Sequence, residues 1–431
     1  MKKRIFIPLT LTILLILKGL SASAFTADTL KVMQYNILNY GNNTSYCTAS
    51  NNNINDKNGY IRTILTAYYP DIFTVCEMGR NTSLPGDFVR NVLNVNGVDY
   101  WLTSAGSNTT TPTSSLINCI FYNSEKLSLT GHYVAQNNTR DVDVYDFKMK
   151  SDNSITLTCV IAHLKAGSGS DNAAKRKIMA ENTMNYLESH YQGRNVLIMG
   201  DFNLYGASEP AYQAFTNESA YPNSYFIDPL YPYGVGEWNS NYNYRYYHTQ
   251  STHTEGGCAS SGGMDDRFDF ILMSECIYGG RDGIRYVNGS YNAIGNDGNH
   301  YNKSINNPTN QAVSAEVANA LYGNSDHLPV TMNLVLGHYD VNELISNELC
   351  FDIFPNPTSE KINIRFYQDN FGKANLLLFN TLGQIVYSAD VFVNDGLNEY
   401  TIPVENLQKG LYFLRITNAD GITETVKIVV E

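Results

Sequence analysis

Two short segments carry side chains suited to one kind of chemistry. Ile198-Met199-Gly200-Asp201-Phe202-Asn203 places an acid and an amide directly after an apolar run, and Ser325-Asp326-His327 places an acid and an imidazole just before another, Leu328 to Met332. The same arrangement recurs elsewhere. Asn36 follows a run that opens at Leu30, Glu77 follows Ile72 to Val75, His163 closes Leu157 to Ala162, and Asp269 sits in Arg267-Phe268-Asp269-Phe270. Hydrolysis of a phosphoester needs a cation to neutralise the phosphoryl oxygens, a base to activate water, and donors for the pentacoordinate state and the leaving oxygen. Carboxylates and amides suit a hard cation such as Mg²⁺, and histidine suits proton transfer near neutral pH. Any one of Glu77, Asp201 or Asp326 alone reads most simply as a strand-end cap. Their recurrence at the ends of so many apolar runs is what points to a site.

The elements that must position these groups alternate between strands and helices. Ile61, Ile64, Leu65 and Tyr68 fall on one helical face, stopped by Pro70, and Ala180, Met184, Leu187 and Tyr191 form a second. Asp71–Glu77, Asn118–Tyr122, Leu157–His163 and Asn195–Gly200 read as strands. This mixture predicts an α/β (α+β) sandwich over residues 28–338. Tyr-, Asn- and Gly-rich stretches over 222–253 and 279–324 read as long surface loops. The first, with Trp238, Tyr242, Tyr244, Tyr246 and Tyr247, either stacks on bases or sugars or packs on itself. His132, His190, His248, His253, His300 and His338 have no evident partner and read as surface residues.

The chain has 431 residues and a net charge of −12. An acidic chain is a poor histone-like binder, because non-specific nucleic-acid affinity comes mainly from Lys and Arg. It is compatible with an enzyme whose cleft is locally basic. Lys2, Lys3 and Arg4, the apolar run Ile5–Leu17 and Ala22-Ser23-Ala24 have the layout of a signal peptide over 1–24. No later stretch is apolar enough to span a bilayer, so no stable membrane span is expected after its removal. Of the 7 cysteines, Cys76, Cys119 and Cys159 lie in apolar runs and read as core, Cys350 lies just past the linker, and Cys47 and Cys258 are free to pair or not. No Cys-x-x-Cys occurs, which argues against a structural zinc site.

Tyr35-Asn36-Ile37, Cys76-Glu77, His163-Leu164, Gly200-Asp201-Phe202-Asn203, Arg267-x-Asp269 and Ser325-Asp326-His327, in that order, resemble the endonuclease/exonuclease/phosphatase superfamily. The resemblance implies a DNase I-like four-layer sandwich, two mixed β-sheets packed face to face with helices outside. It implies a metal-dependent phosphoesterase, with Mg²⁺ as the expected ion and Mn²⁺ or Ca²⁺ as alternatives. By the same resemblance Glu77 would be the principal metal ligand, helped by Asn36 and Asp326. Asp201 would position or deprotonate water, and Asn203 would bind a phosphate oxygen. His327 would act in acid/base work with Asp269 orienting it, and His163 would be the second imidazole. Arg140 is a candidate phosphate contact, since guanidinium binds phosphate bidentately. Ala162-His163-Leu164 looks like the DNase and sphingomyelinase branch. However, Ser114-Ser115-Leu116-Ile117 lacks the acid that pairs with this histidine in the DNase family. The expected function is a secreted phosphodiesterase acting on extracellular DNA or RNA as a monomer. A sphingomyelinase-like or inositol-phosphate-type phosphoesterase is the alternative, and a non-enzymatic surface binder the third reading.

After a linker over 339–349 the texture changes to short strands, Lys361–Tyr367, Asn375–Phe379, Gln384–Ser388, Leu411–Thr417 and Thr423–Val430, separated by turns. This predicts a small Ig-like β-sandwich over 350–431. Phe354-Pro355-Asn356-Pro357, Asn380-Thr381-Leu382-Gly383-Gln384 and Lys409-Gly410-Leu411-Tyr412-Phe413 resemble the sorting domain of the type IX secretion system of Bacteroidetes. That resemblance implies the secretion machinery as partner and a released or surface-tethered product.

Overall fold

The computed structural model describes residues 28–104, 110–111, 114–231, 234–337, 351–354, 356–368, 372–393, 396–417 and 423–430. The expected signal peptide 1–24 and linker 339–349, with His338 and Cys350, lie outside them.

Over the first region the strands are β1 (Asp28–Tyr40), β2 (Ile72–Gly79), β3 (Trp101–Thr103), β4 (Leu116–Asn123), β5 (Leu127–Gln136), β6 (Val142–Met149) and β7 (Thr156–His163). They continue with β8 (Val196–Asp201), β9 (Phe226–Ile227), β10 (Asp269–Ser274), β11 (Ile284–Tyr286), β12 (Asn292–Ala293) and β13 (Val330–Leu336). The helices are α1 (Ile54–Ala67), α2 (Leu84–Phe88), α3 (Ser170–His190), α4 (Pro210–Thr216), α5 (Glu275–Tyr278) and α6 (Ala315–Asn324). One sheet has the order β11-β13-β1-β2-β4-β3, with β12 also on β13, and the other has the order β5-β6-β7-β8-β10-β9. Among the strands of the described residues, β1/β2 and β7/β8 pair in parallel, and both pairs are bridged by a helical crossover.

The period-two alternation of strands assigns each side chain to a layer. Along β1, Leu30 and Val32 join the core between the two sheets, while Met33, Tyr35 and Ile37 pack under α1 and α6. Along β7 and β8, Leu157, Cys159, Ile161, Leu197 and Met199 face the inter-sheet core, and Val160, Ala162, Val196 and Ile198 pack under α3 and α4. Helices therefore cover the outer face of each sheet, which gives the expected four layers. α1 starts where the Asn53 side chain accepts from the Asn55 and Asp56 amides, and ends at extended Tyr68 before Pro70. Fully burying Ile61 or Ile64 on its inner face contributes about 1.5–3 kcal/mol each.

Two stretches read as surface loops differ from expectation. Within 279–324 the chain forms β11, β12 and α6, and Ile294, Ile305 and His300 are buried. Within 222–253 Trp238 and His248 are fully buried, Trp238 against Tyr212 and Phe270, while Arg245 lies over the rings of Tyr242 and Tyr246, which stay exposed. Several histidines read as surface residues have partners: His132 meets Asp143 and His300 meets Asp297 and the Pro308 carbonyl. Cys47 and Cys258 form a disulfide, whereas Cys76, Cys119 and Cys159 are buried thiols, as is Cys276.

The C-terminal region holds β14 (Phe351–Phe354), β15 (Lys361–Gln368), β16 (Gly372–Asn380), β17 (Ile385–Val393), β18 (Gly396–Pro403), β19 (Gly410–Thr417) and β20 (Thr423–Val430). A sheet β14-β15-β18 and a sheet β17-β16-β19-β20 share one core, which includes Ile362, Ile364, Ile402, Leu376, Leu414 and Ile428. That is the small β-sandwich read from the sequence.

Candidate active site

The layer rule also explains how the site forms. Asn36, His163, Asp201 and Asp269 have the same strand parity as Leu30, Ile161, Met199 and Ile271, so each continues the inter-sheet face at one end of its strand. His163 is in register with Asp201 across β7/β8, and Asp201 with Asp269 across β8/β10. The apolar core between the sheets thus ends in a layer of polar groups. Gln34, Thr74 and Cys76 form the transition: Thr74 Oγ1 donates to Gln34 Oε1 at 2.5 Å, and Gln34 Nε2 donates to Cys76 Sγ at 3.4 Å.

Glu77 breaks the parity, and a backbone distortion accounts for it. The β2/β4 register shifts between Val75 and Met78, and Glu77 has φ 65°, a left-handed conformation that costs a non-glycine residue of order 1–3 kcal/mol. The bulge turns its carboxylate inward: Oε1 accepts from Asn36 Nδ2 at 3.1 Å and Oε2 from the Asn39 amide at 3.0 Å. Gly200 meets the opposite demand. Its φ is 150°, and a Cβ there would stand 1.8 Å from the Ala162 carbonyl oxygen, so no other residue allows β8 to approach β7 this closely.

Asp201 is the hub. Its Oδ2 accepts from Asn36 Nδ2 at 2.9 Å and faces His163 Nε2 at 3.4 Å and His327 Nε2 at 3.8 Å. Its Oδ1 accepts from the Asn203 amide at 3.0 Å. On the far side, His327 Nδ1 meets Asp269 Oδ2 at 2.8 Å, and Thr249 Oγ1 donates to that same oxygen at 2.8 Å. Asp326 Oδ2 accepts from the Ser260 amide at 2.8 Å, while its Oδ1 is buried without a hydrogen-bond partner, 4.0 Å from His327 Nε2.

Burial and neighbouring charge set the protonation states. Burial raises the Asp201 carboxyl to about 7; His327 and Asn36 oppose the rise, and Asp269 and Glu77 add to it. For His327, burial disfavours the imidazolium, but Asp269 and Asp201 outweigh it and hold the pKa well above the ordinary histidine range. His163 goes the other way: burial, then Arg140, His327 and Lys165, push it well below that range. The two imidazoles therefore differ, one held charged and the other neutral.

Every residue expected from the sequence lies at or beside this cluster. Arg140 Nη1 donates to the Leu164 carbonyl at 2.6 Å, and Asn203 Nδ2 to the same oxygen at 3.4 Å. A small polar cavity beside His163 is lined by Asn118, Arg140, Asp141 and Asp143. The acid missing near Leu116 has no direct replacement. The carboxylates within ion-pair distance of His163 are Glu77 and Asp201, at 3.8 and 3.4 Å, both through Nε2.

Ligand atoms of Glu77, His163 and Asp201 lie within 4.8 Å of one another and can hold a metal ion. The fit is supported by the excess of buried acid over cation: Asp201 is driven toward its neutral form, and Asp326 Oδ1 and Asp269 Oδ1 have no partner. A divalent cation would supply the missing charge. This geometry groups His163, rather than Asp326, most tightly with Glu77 and Asp201.

Sequence reasoning missed Lys57, Thr249 and Ser260, and gave no role to Ser325 although it stands in the Ser325-Asp326-His327 motif. Lys57 had a signal, since it lies four residues before Ile61 and so on the apolar face of α1. The other three reach the site from loops, which carry no periodic pattern.

Residues 352–431 match the family model of the secretion system C-terminal sorting domain. The C-terminal region is a secretion sorting domain. It marks the protein for export, released or held at the cell surface, and among the described residues no helix is long and apolar enough to cross a membrane. No curated protein matches the sequence.

The chain is similar to solved structures described as endonuclease/exonuclease/phosphatase proteins. One from Beutenbergia cavernae has 14% identity and a TM-score of 0.45, covering 93% of this chain and 100% of that one. One from Bacteroides thetaiotaomicron has 15% identity and a TM-score of 0.44, covering 73% and 99%. A mannosyl-6-phosphatase from the same species has 16% identity and a TM-score of 0.44, covering 71% and 100%. At this similarity the two-sheet architecture rests on the strand order and layered core of the chain itself.

Proposed function

We propose that the protein is an exported, metal-dependent phosphodiesterase, exported by the type IX pathway, whose substrate is extracellular nucleic acid. The observation that carries this reading is the convergence on Asp201 Oδ2 of an amide and two imidazoles, beside a cluster able to hold a cation. The Glu77 and Asp201 carboxylates, with His163 beside them, would hold a hard divalent ion through oxygen, Mg²⁺ in the first place, and it would neutralise phosphoryl charge. Asn36 bridges Glu77 and Asp201 and keeps both carboxylates aimed at one point.

Asp201 is suited to orient the attacking water and take its proton, because its Oδ2 is the point on which Asn36, His163 and His327 converge. His327, held protonated by Asp269, supplies a positive donor to a phosphoryl or leaving oxygen. Water adds to phosphorus, the P–O bond to the leaving alcohol breaks, and the alkoxide takes a proton, giving a phosphomonoester and an alcohol. His163 is neutral, so in this reading it serves the cation or orients the phosphate rather than acting as the acid. Arg140, whose guanidinium lies against the His163–Leu164 backbone, is the candidate contact for a neighbouring phosphate.

A panel tests this. The full chain is incubated with plasmid DNA, RNA, sphingomyelin, an inositol phosphate and a generic phosphodiester, with Mg²⁺, Mn²⁺ or chelator. Cation-dependent cutting of nucleic acid is expected. Activity confined to lipid or to a monoester overturns the substrate, and chelator-resistant activity overturns the mechanism.

A further inference from the structure

Lys57 is 2% exposed, although it lies in the first half of α1 on a protein surface rich in polar residues. A buried ammonium is retained only where its donors are satisfied. Here Nζ donates to the Leu38 carbonyl at 2.6 Å, to Asn52 Oδ1 at 2.8 Å and to the Asn324 carbonyl at 2.7 Å, which uses all three of its protons.

Two of these acceptors, the Leu38 and Asn324 carbonyls, belong to the two chain segments that deliver the two halves of the site. Leu38 lies inside β1, in the irregular turn of the strand where the β1/β2 register shifts between Asn36 and Tyr40, and its amide donates to Asn36 Oδ1 at 3.0 Å; the next residue, Asn39, holds Glu77 through its amide. Asn324 ends α6 and precedes Ser325. Ser325 Oγ donates to the Asn36 carbonyl at 2.6 Å and accepts from the His327 amide at 3.1 Å. Lys57 and Ser325 therefore tie the β1 turn to the Ser325–His327 segment at two adjacent points. Leu38 and Asn39 have φ of 41° and 47°, so this turn needs outside support to keep its shape.

We propose that Lys57 is a positioning residue of the active site, whose ammonium fixes the Asn36–Glu77 half against the Ser325–His327 half. The proposal rests on the phosphodiesterase reading for its kinetic consequence but not for its structural one. A methionine at this position keeps the stem and the volume and removes the three hydrogen bonds. Misplacing reacting groups by about 1 Å costs on the order of 100-fold in rate. A residue that only stabilised the fold would leave the rate per folded molecule unchanged.

The test uses full-length wild type, Lys57→Met and, should that variant fail to fold, Lys57→Gln. Two readouts are taken on folded protein: kcat and KM on the phosphodiester that wild type cuts, and metal-free hydrogen exchange resolved to peptides covering 36–39 and 324–327. The expected result is a fall in kcat of roughly 10- to 100-fold with KM within about threefold, together with faster exchange in both peptides. Lys57→Arg, which keeps the charge, should recover part of each effect. A variant with wild-type kcat per folded molecule overturns the proposal. Should wild type cut no phosphodiester, the functional reading fails on its own. The exchange result then decides about Lys57, with unchanged protection in both segments counting against it.

Discussion

Replacing Asp269 by asparagine tests the proposed division of labour between the two imidazoles. Asp269 Oδ2 lies 2.8 Å from His327 Nδ1, both side chains are buried, and Thr249 Oγ1 holds the carboxylate in place. Asparagine keeps the shape and removes the charge. A hydrogen bond to a charged group contributes about 1.5–3 kcal/mol. If that interaction is needed in full in the transition state, kcat falls roughly 10- to 150-fold at 1.36 kcal/mol per tenfold. The pH dependence has a defined sign. Asp269 and Asp201 raise the pKa of His327, so losing Asp269 lowers it, and the imidazolium is lost at a lower pH. The alkaline limb of the kcat profile should therefore move down by about one unit or more, one unit corresponding to 1.36 kcal/mol. Stability should change in the matching window. A raised histidine pKa stabilises the fold below its ordinary value of 6.5 and ceases to do so as pH rises through the folded value. The loss of Tm in the variant should be largest near about pH 6 and shrink in alkali. The assay is a full pH–rate profile of both proteins with thermal melts across the same buffers. An unshifted alkaline limb, or a change confined to KM, would refute the reasoning.

Other consequences can be measured separately. Gly200→Ala should fail to give soluble protein or lower Tm by more than about 10 °C, because its Cβ would stand 1.8 Å from the Ala162 carbonyl oxygen; a melt within a few degrees of wild type contradicts this. Asp201→Asn should abolish turnover yet raise the metal-free Tm at alkaline pH. The folded carboxyl has its pKa raised to about 7, so the stability it lends in acid is lost as pH rises through that value. A lower Tm at alkaline pH would show that Asp201 is not an uncompensated charge. Removing the Cys47–Cys258 crosslink by a paired Cys→Ser exchange should cost about 2–5 kcal/mol in denaturant unfolding. It should also weaken Mn²⁺ binding, since Asn39, whose amide holds Glu77, meets Cys47 Sγ through its side chain. An unchanged denaturation midpoint would show that the crosslink does not constrain the unfolded chain.

Much of the fold was legible in the residues because strand parity is a local property. The alternation of Leu30, Val32 and Asn36 with Met33, Tyr35 and Ile37 is written in the sequence, and the structure turns it into two layers. The polar strand ends were legible for the same reason, since Asp201 and His163 interrupt runs that are otherwise apolar. Glu77 was identified as a residue, but the bulge that turns its carboxylate toward Asn36 was not, because a left-handed φ at a glutamate has no signature in composition. Loop contacts were invisible. Thr249, Ser260 and Ser325 act through turns of the chain that depend on tertiary packing. His248 and His300 were misread as surface residues for a related reason: they are held by other loop residues, His248 by the Trp238 carbonyl and Tyr301 and His300 by Asp297 and the Pro308 carbonyl, not by any periodic pattern around them.

The central claim is that this cluster adds water to phosphorus with the help of a divalent cation. Cleavage of a phosphodiester by the full chain in ¹⁸O-labelled water tests it most directly, with the phosphomonoester and alcohol products weighed by mass spectrometry. The account requires one ¹⁸O per broken bond in the phosphomonoester and none in the alcohol. Incorporation should depend on Mg²⁺ or Mn²⁺ and be lost in Asp201→Ala and His327→Ala. Label in the alcohol, or undiminished labelling in chelator or in either variant, would contradict it.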